Sequence, residues 1–238
     1  LNGFANTVDS MASLEKNIFM EKKMTMKELL HLLDTNFEGQ EAKRQMLLHH
    51  APKYGNDDAF VDKYAIWLSE IYADDCERMK DARGGYYTGI ITSQSYNVVQ
   101  GKYVGATPDG RLAYTTLADN ASPSMGRDNK GPTAAVKSVS NIDTIRVTHG
   151  ALLNQKFDPV LINGEKGLDI LGSVITGYFK NGGQHIQINV LDTETLRKAQ
   201  KNPDEYRNLL VRVAGYSAYF VDLEKEVQED IIARTTQK

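Results

Sequence analysis

The chain has 238 residues, a formal net charge of −3, 41% hydrophobic residues and 25% charged residues. This is an ordinary globular balance, with enough chain to bury a core, and it lacks the basic excess of a nucleic-acid binder. No run of roughly 18 apolar residues suggests a membrane helix, and a single cysteine, Cys76, excludes an internal disulfide or a Cys-rich metal site.

Residues 1–50 read as helical. Asn6 to Phe19 carries Val8, Met11, Ala12, Leu14 and Ile18 near a helical period. Thr25-Met26-Lys27-Glu28 has the spacing of a capping box and opens a helix over Glu28 to Leu33, closed by Asn36 and Gly39. Glu41 to His50 is a third helix, ended before Pro52. Asp58 to Lys80 is a long fourth helix, with Phe60, Val61, Tyr64, Trp67, Leu68, Ile71 and Tyr72 predicted as one buried stripe.

Gly84-Gly85 interrupts the helical pattern. Tyr86 to Val99 is rich in Tyr, Thr, Ile and Val and reads as an extended strand, on which one alternate set from Ser93, Gln94, Ser95, Tyr96 and Asn97 would face a site. Gly101 to Pro132 is a long ordered loop, with turn chemistry at Pro108-Asp109-Gly110. Gly167 to Phe179 is helical again. Gln184 to Val190 alternates polar and apolar residues, as a half-buried strand does. Asp192 or Thr193 caps a helix over Glu194 to Lys201, and Asn202-Pro203 starts another. Leu209 to Phe220 is apolar and aromatic around one glycine, and Leu223 to Arg234 is a final amphipathic helix. Helices alternating with strands predict an α/β fold. The helical stretch 1–85 and the strand and loop stretch 86–238 are expected to be parts of one domain.

The histidines His31, His49 and His50 have no partners at metal-ligand spacing, so no metal site is expected. No charged stretch ahead of an apolar one reads as a signal segment in this sequence, and cytoplasmic residence is the default expectation. A start at Leu rather than Met points to a piece of a longer chain.

The chemistry concentrates in Arg212-Val213-Ala214-Gly215-Tyr216-Ser217-Ala218-Tyr219-Phe220. A lone glycine in an apolar strand is most often a bulge. Here, however, the whole segment, with Val221 to Lys225 and Asp230 to Thr235 after it, resembles the radical loop of the pyruvate formate-lyase family of glycyl radical enzymes. Gly105 to Arg111, Thr116 to Asp119, Ser122-Pro123, Gly126 to Asp128 and Gly131 to Ala134 are similar to the family's glycerol and diol dehydratase branch. Gly3 to Asn6 with Asp9-Ser10, and Ala51 to Asp58, are similar to segments of the family at large.

The resemblance implies the C-terminal part of a ten-stranded α/β barrel with helices outside. It implies a radical stored on Gly215, installed by a radical S-adenosylmethionine activating enzyme, with no bound cofactor. Glycine suits the role because it has no Cβ to crowd a planar Cα radical, which the amide nitrogen and the carbonyl stabilise from either side. Val213, Ala214, Ala218, Tyr219 and Phe220 would then shield the loop from water and oxygen. Ala214 and Ser217 would permit close approach of surrounding chain, Tyr216 belongs to the same supporting segment, and Arg212 would anchor the loop on carbonyls or a carboxylate.

The family's thiyl-forming cysteine sits in a Gly-Cys loop followed by a glutamate base. No such loop occurs in this sequence. Cys76, on a charged helix, is expected to be an ordinary half-buried residue, and the catalytic cysteine is expected upstream of Leu1. The implied function is dehydration or lysis of a small hydroxylated substrate by an oxygen-sensitive anaerobic enzyme, a homodimer when complete. A carbon–carbon lyase, a decarboxylase or a formate acetyltransferase of the same family is the alternative. From other classes come a radical-bearing spare part that repairs a damaged enzyme and an inert scaffold.

Overall fold

A computed structural model describes residues 1–237. The helices of the first third follow the sequence closely. Helix α1 (Phe4–Leu14) runs into a π-helical segment, Glu15–Met20, and is followed by α2 (Met26–Asp34) and α3 (Glu41–His49). The capping box is present: the Thr25 hydroxyl accepts from the Glu28 N–H at 3.2 Å, and the Thr25 N–H donates to Glu28 Oε2 at 2.7 Å. Asp58 caps α4 (Ala59–Arg78).

The buried face of α4 differs from the predicted stripe. Val61, Ala65, Ser69, Ala73 and Cys76 are buried, whereas Trp67 and Ile71 are exposed. The small residues are the ones that let α4 lie close to α1. Cys76 is therefore buried rather than half-buried.

Residues 86–99 correct a second expectation, because they form no continuous strand. Tyr86 and Ile91 make isolated bridges to Lys80 and Ala151. Gln94 and Ser95 take left-handed backbone angles, φ +46° and +76°, and lead into helix α5 (Tyr96–Gly101). Alternation therefore does not apply to residues 93–97. The long loop is ordered and ends at α6 (Pro132–Ser140), a helix the sequence reading missed although Pro132 occupies its first turn.

Strand β1 (Leu152–Phe157) was also missed. All six of its residues are buried, so it shows no alternation. It is the central strand of a parallel sheet, covered on both faces. Helix α7 (Gly164–Lys180) crosses from β1 to β2 (His185–Val190), which pairs in parallel with β1 from Leu152↔His185 to Phe157↔Val190. Asp192 caps α8 (Thr193–Lys201). The helix expected after Asn202 is only a 3₁₀ turn, Pro203–Tyr206. A hairpin follows, β3 (Leu210–Arg212) against β4 (Ser217–Tyr219). Helix α9 (Lys225–Ala233) then leads to β5 (Thr236–Gln237) on the other edge of β1.

Three apolar clusters hold these elements. The largest joins Phe4, Val8, Tyr54, Val61, Val139, Leu153 and Tyr178, so it draws on both halves of the chain. A second packs α2 and α3 around Leu29, Leu32, Phe37 and Leu47. The third lies beneath the hairpin, where Val211, Val213 and Phe220 meet Leu196, Ala199, Ile231 and Ile232. Burial of an aliphatic or aromatic side chain of this size contributes about 1.5–3 kcal/mol, so the base of the hairpin is a firm platform. Lys156 of β1 is buried as well. Its Nζ donates to the Ile232 carbonyl at 2.8 Å, tying the end of α9 to the central strand. Burial lowers its pKa to about 8.

Candidate functional site

Gly215 lies at the tip of the hairpin, in the turn between β3 and β4, with φ +82°. An L side chain would be strained there, and glycine is not. The turn closes with the Val213 N–H donating to the Tyr216 carbonyl at 2.9 Å. Val213 and Ala214 are buried, but Gly215, Tyr216 and Ser217 are exposed. Tyr219 is exposed too, and apart from Ala214, Gly215 and Tyr216 themselves no described residue places a heavy atom within 4 Å of where a Gly215 Cβ would stand. The expected shield is therefore absent within these residues. The apolar side chains on either side of the glycine point down into the platform, so the tip projects beyond it.

The polar face of β2 holds the hairpin. Ile186 and Ile188 turn toward the main apolar cluster, which directs Gln187 and Asn189 to the opposite face, where both are buried. Asn189 grips the backbone of Arg212 at two points: its Oδ1 accepts from the Arg212 N–H at 2.8 Å, and its Nδ2 donates to the Arg212 carbonyl at 2.8 Å. Gln187 Oε1 accepts from Arg212 Nε at 3.0 Å and from the Gly215 N–H at 3.1 Å. Arg212 also donates to Ser217 Oγ at 3.2 Å. It thus anchors the turn through the side-chain carbonyl of Gln187 and a hydroxyl.

A second arginine, Arg234, just past α9, bridges a main-chain carbonyl and a carboxylate. It donates to the Val213 carbonyl at 3.0 Å and to Asp230 Oδ2 at 2.9 Å. Asn154 of β1 donates to the same Val213 carbonyl at 3.2 Å and to Asp119 Oδ2 at 2.6 Å. Asp119 therefore connects the long loop to the hairpin. Burial raises the Asp230 carboxyl above its ordinary range, against the opposing pull of Arg234.

Ser95 and Asn97 also reach this site. Ser95 Oγ and the Tyr216 hydroxyl are 2.9 Å apart, and Asn97 Nδ2 donates to Asp230 Oδ1 at 2.8 Å. Ser93 is buried on Asn120 instead.

The Pro108-Asp109-Gly110 turn is structural. Asp109 accepts from Asn6 at 2.9 Å and from Arg127 at 2.7 Å. Burial opposes its ionisation, but Arg127 leads the interactions that outweigh burial and hold its carboxyl below the usual range. A cavity of about 580 Å³ lies near α1 and α3 and is lined by Arg44, Lys53, Arg111 and Arg127 among others, with no hairpin residue. Among the described residues, no His, Cys, Asp or Glu cluster has metal-site geometry, and no helix is long and apolar enough to cross a membrane.

Sequence reasoning missed Gln187, Asn189, Asn154 and Arg234 as parts of the site. The available signal was two amide side chains, two residues apart, on a strand whose apolar residues face the other way. Such groups, when buried, need specific partners.

Known proteins match along nearly the whole chain. A family model described as "Glycine radical" matches residues 117–221, and one described as "Pyruvate formate lyase-like" matches residues 1–101. A trans-4-hydroxy-L-proline dehydratase of Clostridioides difficile is 40% identical over 235 residues, covering 99% of this chain and 30% of its own length. An isethionate sulfite-lyase of Bilophila wadsworthia is 42% identical, covering 98% and 28%. Among solved structures, the glycerol-bound B12-independent glycerol dehydratase from Clostridium butyricum superposes with a TM-score of 0.95 at 44% identity, over 99% of this chain and 30% of that one. The chain thus spans a little under a third of the length of the relatives it matches.

Proposed function

This chain belongs to the glycyl radical enzyme family and has the fold of part of that family's α/β barrel, and we propose that it carries the radical-bearing region of a dehydratase or lyase acting on a small hydroxylated substrate, with the radical stored on the Cα of Gly215. One observation carries the assignment to Gly215. Within the segment matched to the radical model, it is the glycine at the hairpin tip, with a left-handed φ and flanking peptides pinned by Gln187, Asn189 and Arg234.

The chemistry follows from the backbone. A radical S-adenosylmethionine activase supplies an alkyl radical, which removes one hydrogen atom from Gly215 Cα and departs as the C–H compound. The Cα left behind flattens without steric cost because no Cβ is present. The pinned neighbours hold the two peptide planes while the centre changes geometry. In turnover, the stored radical takes a hydrogen atom from a cysteine thiol that lies outside these residues, which re-forms the glycine and leaves a thiyl. The thiyl takes a hydrogen atom from the hydroxyl-bearing substrate carbon. A neighbouring hydroxyl then leaves as water with acid–base assistance, and the product radical recovers its hydrogen from the thiol. Atoms balance: a diol gives a carbonyl compound and water.

Cys76, buried on α4, takes no part. The shield missing over Gly215 is supplied by chain beyond these residues. We read 1–85 and 86–238 as stretches of one domain, supported by the apolar cluster that joins them. The complete enzyme is read as a cytoplasmic, oxygen-sensitive homodimer of anaerobic cells. The second reading keeps Gly215 and changes the bond broken, which the sulfite-lyase among the relatives favours.

The test is anaerobic incubation of the complete enzyme with its activase, followed by electron paramagnetic resonance. The expected result is a doublet that changes when glycine is isotope-labelled and is absent in Gly215→Ala. A silent spectrum with an activase competent on a control enzyme would refute the assignment.

A further inference from the structure

Of the polar side chains beneath the hairpin, Gln187 alone makes a hydrogen bond to Gly215 itself. The orientation of its amide is fixed from both ends. Oε1 meets two obligate donors, the Gly215 N–H and Arg212 Nε, at 3.1 and 3.0 Å. Nε2 lies 3.3 Å from His185 Nε2. A flipped amide would set its N–H groups against two donors that have no acceptor to offer. A neutral His185 with its proton on Nδ1 completes the set by accepting at Nε2. Burial and the nearby Arg212 both favour that neutral ring.

Resting on the reading of Gly215 as the radical site, we infer that Gln187 is a positioning residue that tunes the radical: by accepting the Gly215 N–H, it increases the electron density the amide nitrogen donates to Cα. Hydrogen-bonded groups polarise one another, and among the described residues the N–H is the part of the glycine that makes a side-chain hydrogen bond. Asn189 provides the internal control, because it grips the backbone of Arg212 without touching Gly215. Loss of Asn189 loosens the hairpin, whereas loss of Gln187 changes the electronic surroundings of the radical.

The experiment uses the complete enzyme, activated anaerobically, with ¹⁵N-glycine and with glutamine labelled with ¹³C at the side-chain carbonyl. Electron–nuclear double resonance of the wild type should show a ¹³C coupling that disappears in Gln187→Met. The ¹⁵N coupling should fall in Gln187→Met and persist in Gln187→Glu, which keeps an acceptor oxygen, and in Asn189→Ala. The anaerobic half-life of the radical should shorten about fivefold in Gln187→Met, the scale of one net hydrogen bond. If Gln187→Met yields no radical, the wild-type ¹³C coupling and the Gln187→Glu spectrum decide. A wild-type radical without ¹³C coupling overturns the inference while leaving Gly215 assigned, as does a wild-type ¹⁵N coupling in Gln187→Met. A wild type without any glycyl doublet refutes the Gly215 assignment itself.

Discussion

Arg234 Nη1 donates to the Val213 carbonyl at 3.0 Å, so a residue just past α9 holds the β3 end of the turn two residues before Gly215. The same guanidinium pairs with Asp230, whose other oxygen accepts from Asn97 of α5. The hairpin tip is therefore exposed at its apex and tied at its base to two helices. That division suits a centre whose Cα changes geometry while its flanks stay still.

Removing Arg234 should be among the most damaging single changes. It is buried, and Arg234→Leu leaves Asp230 without its cation and the Val213 carbonyl with one donor fewer. Breaking one partner of a buried pair costs about 3–5 kcal/mol. Urea unfolding should show a loss of that order. Asp230→Asn should cost less, and the double variant should reveal coupling between the two positions.

Gly215→Ala should separate folding from chemistry. In this chain by itself the space around the missing Cβ is free, so only the left-handed φ is penalised, by about 1–2 kcal/mol. The variant should fold, as circular dichroism and thermal unfolding will show, and accept no radical.

Asn189→Ala should unpin the first strand of the hairpin. It strands the Arg212 N–H and carbonyl, at about 1–3 kcal/mol for a buried group left unsatisfied. Hydrogen exchange at residues 211–219 should accelerate while β1 and α7 keep their protection. Equal acceleration throughout would show that Asn189 supports the fold globally rather than the hairpin.

Asp128 should give stability a pH dependence opposite to that of a salt-bridged carboxylate. Burial raises its carboxyl from 3.8 to about 6, although Thr235 and Gln237 donate to it. The folded chain thus keeps a proton that the unfolded chain releases. The contribution is full below the unfolded pKa and is lost as pH rises through about 6. The stability of Asp128→Asn relative to wild type should rise by on the order of 2–3 kcal/mol from about pH 4 to about pH 7. Denaturant titrations at the two pH values check this, and no change in the difference would contradict the raised pKa.

What the sequence determined by itself was whatever depends on near neighbours. The capping box at Thr25, the cap at Asp192 and the period of α1 and α7 are set within a few residues, and each was legible. The family segment around Gly215 was legible for another reason: a radical glycine requires a particular residue in a long matching stretch. Tertiary structure alone decided the rest. β1 is buried on both faces and so shows no alternation, and residues 86–99 carry strand-forming side chains but bend away into α5. Gln187 and Asn189 are ordinary polar residues until a hairpin 23–28 residues onward lies against them. Arg212 and Arg234 differ in role only because of which carbonyl each can reach. The exposure of Gly215 is likewise non-local, since it depends on which chain, if any, covers the tip of the hairpin.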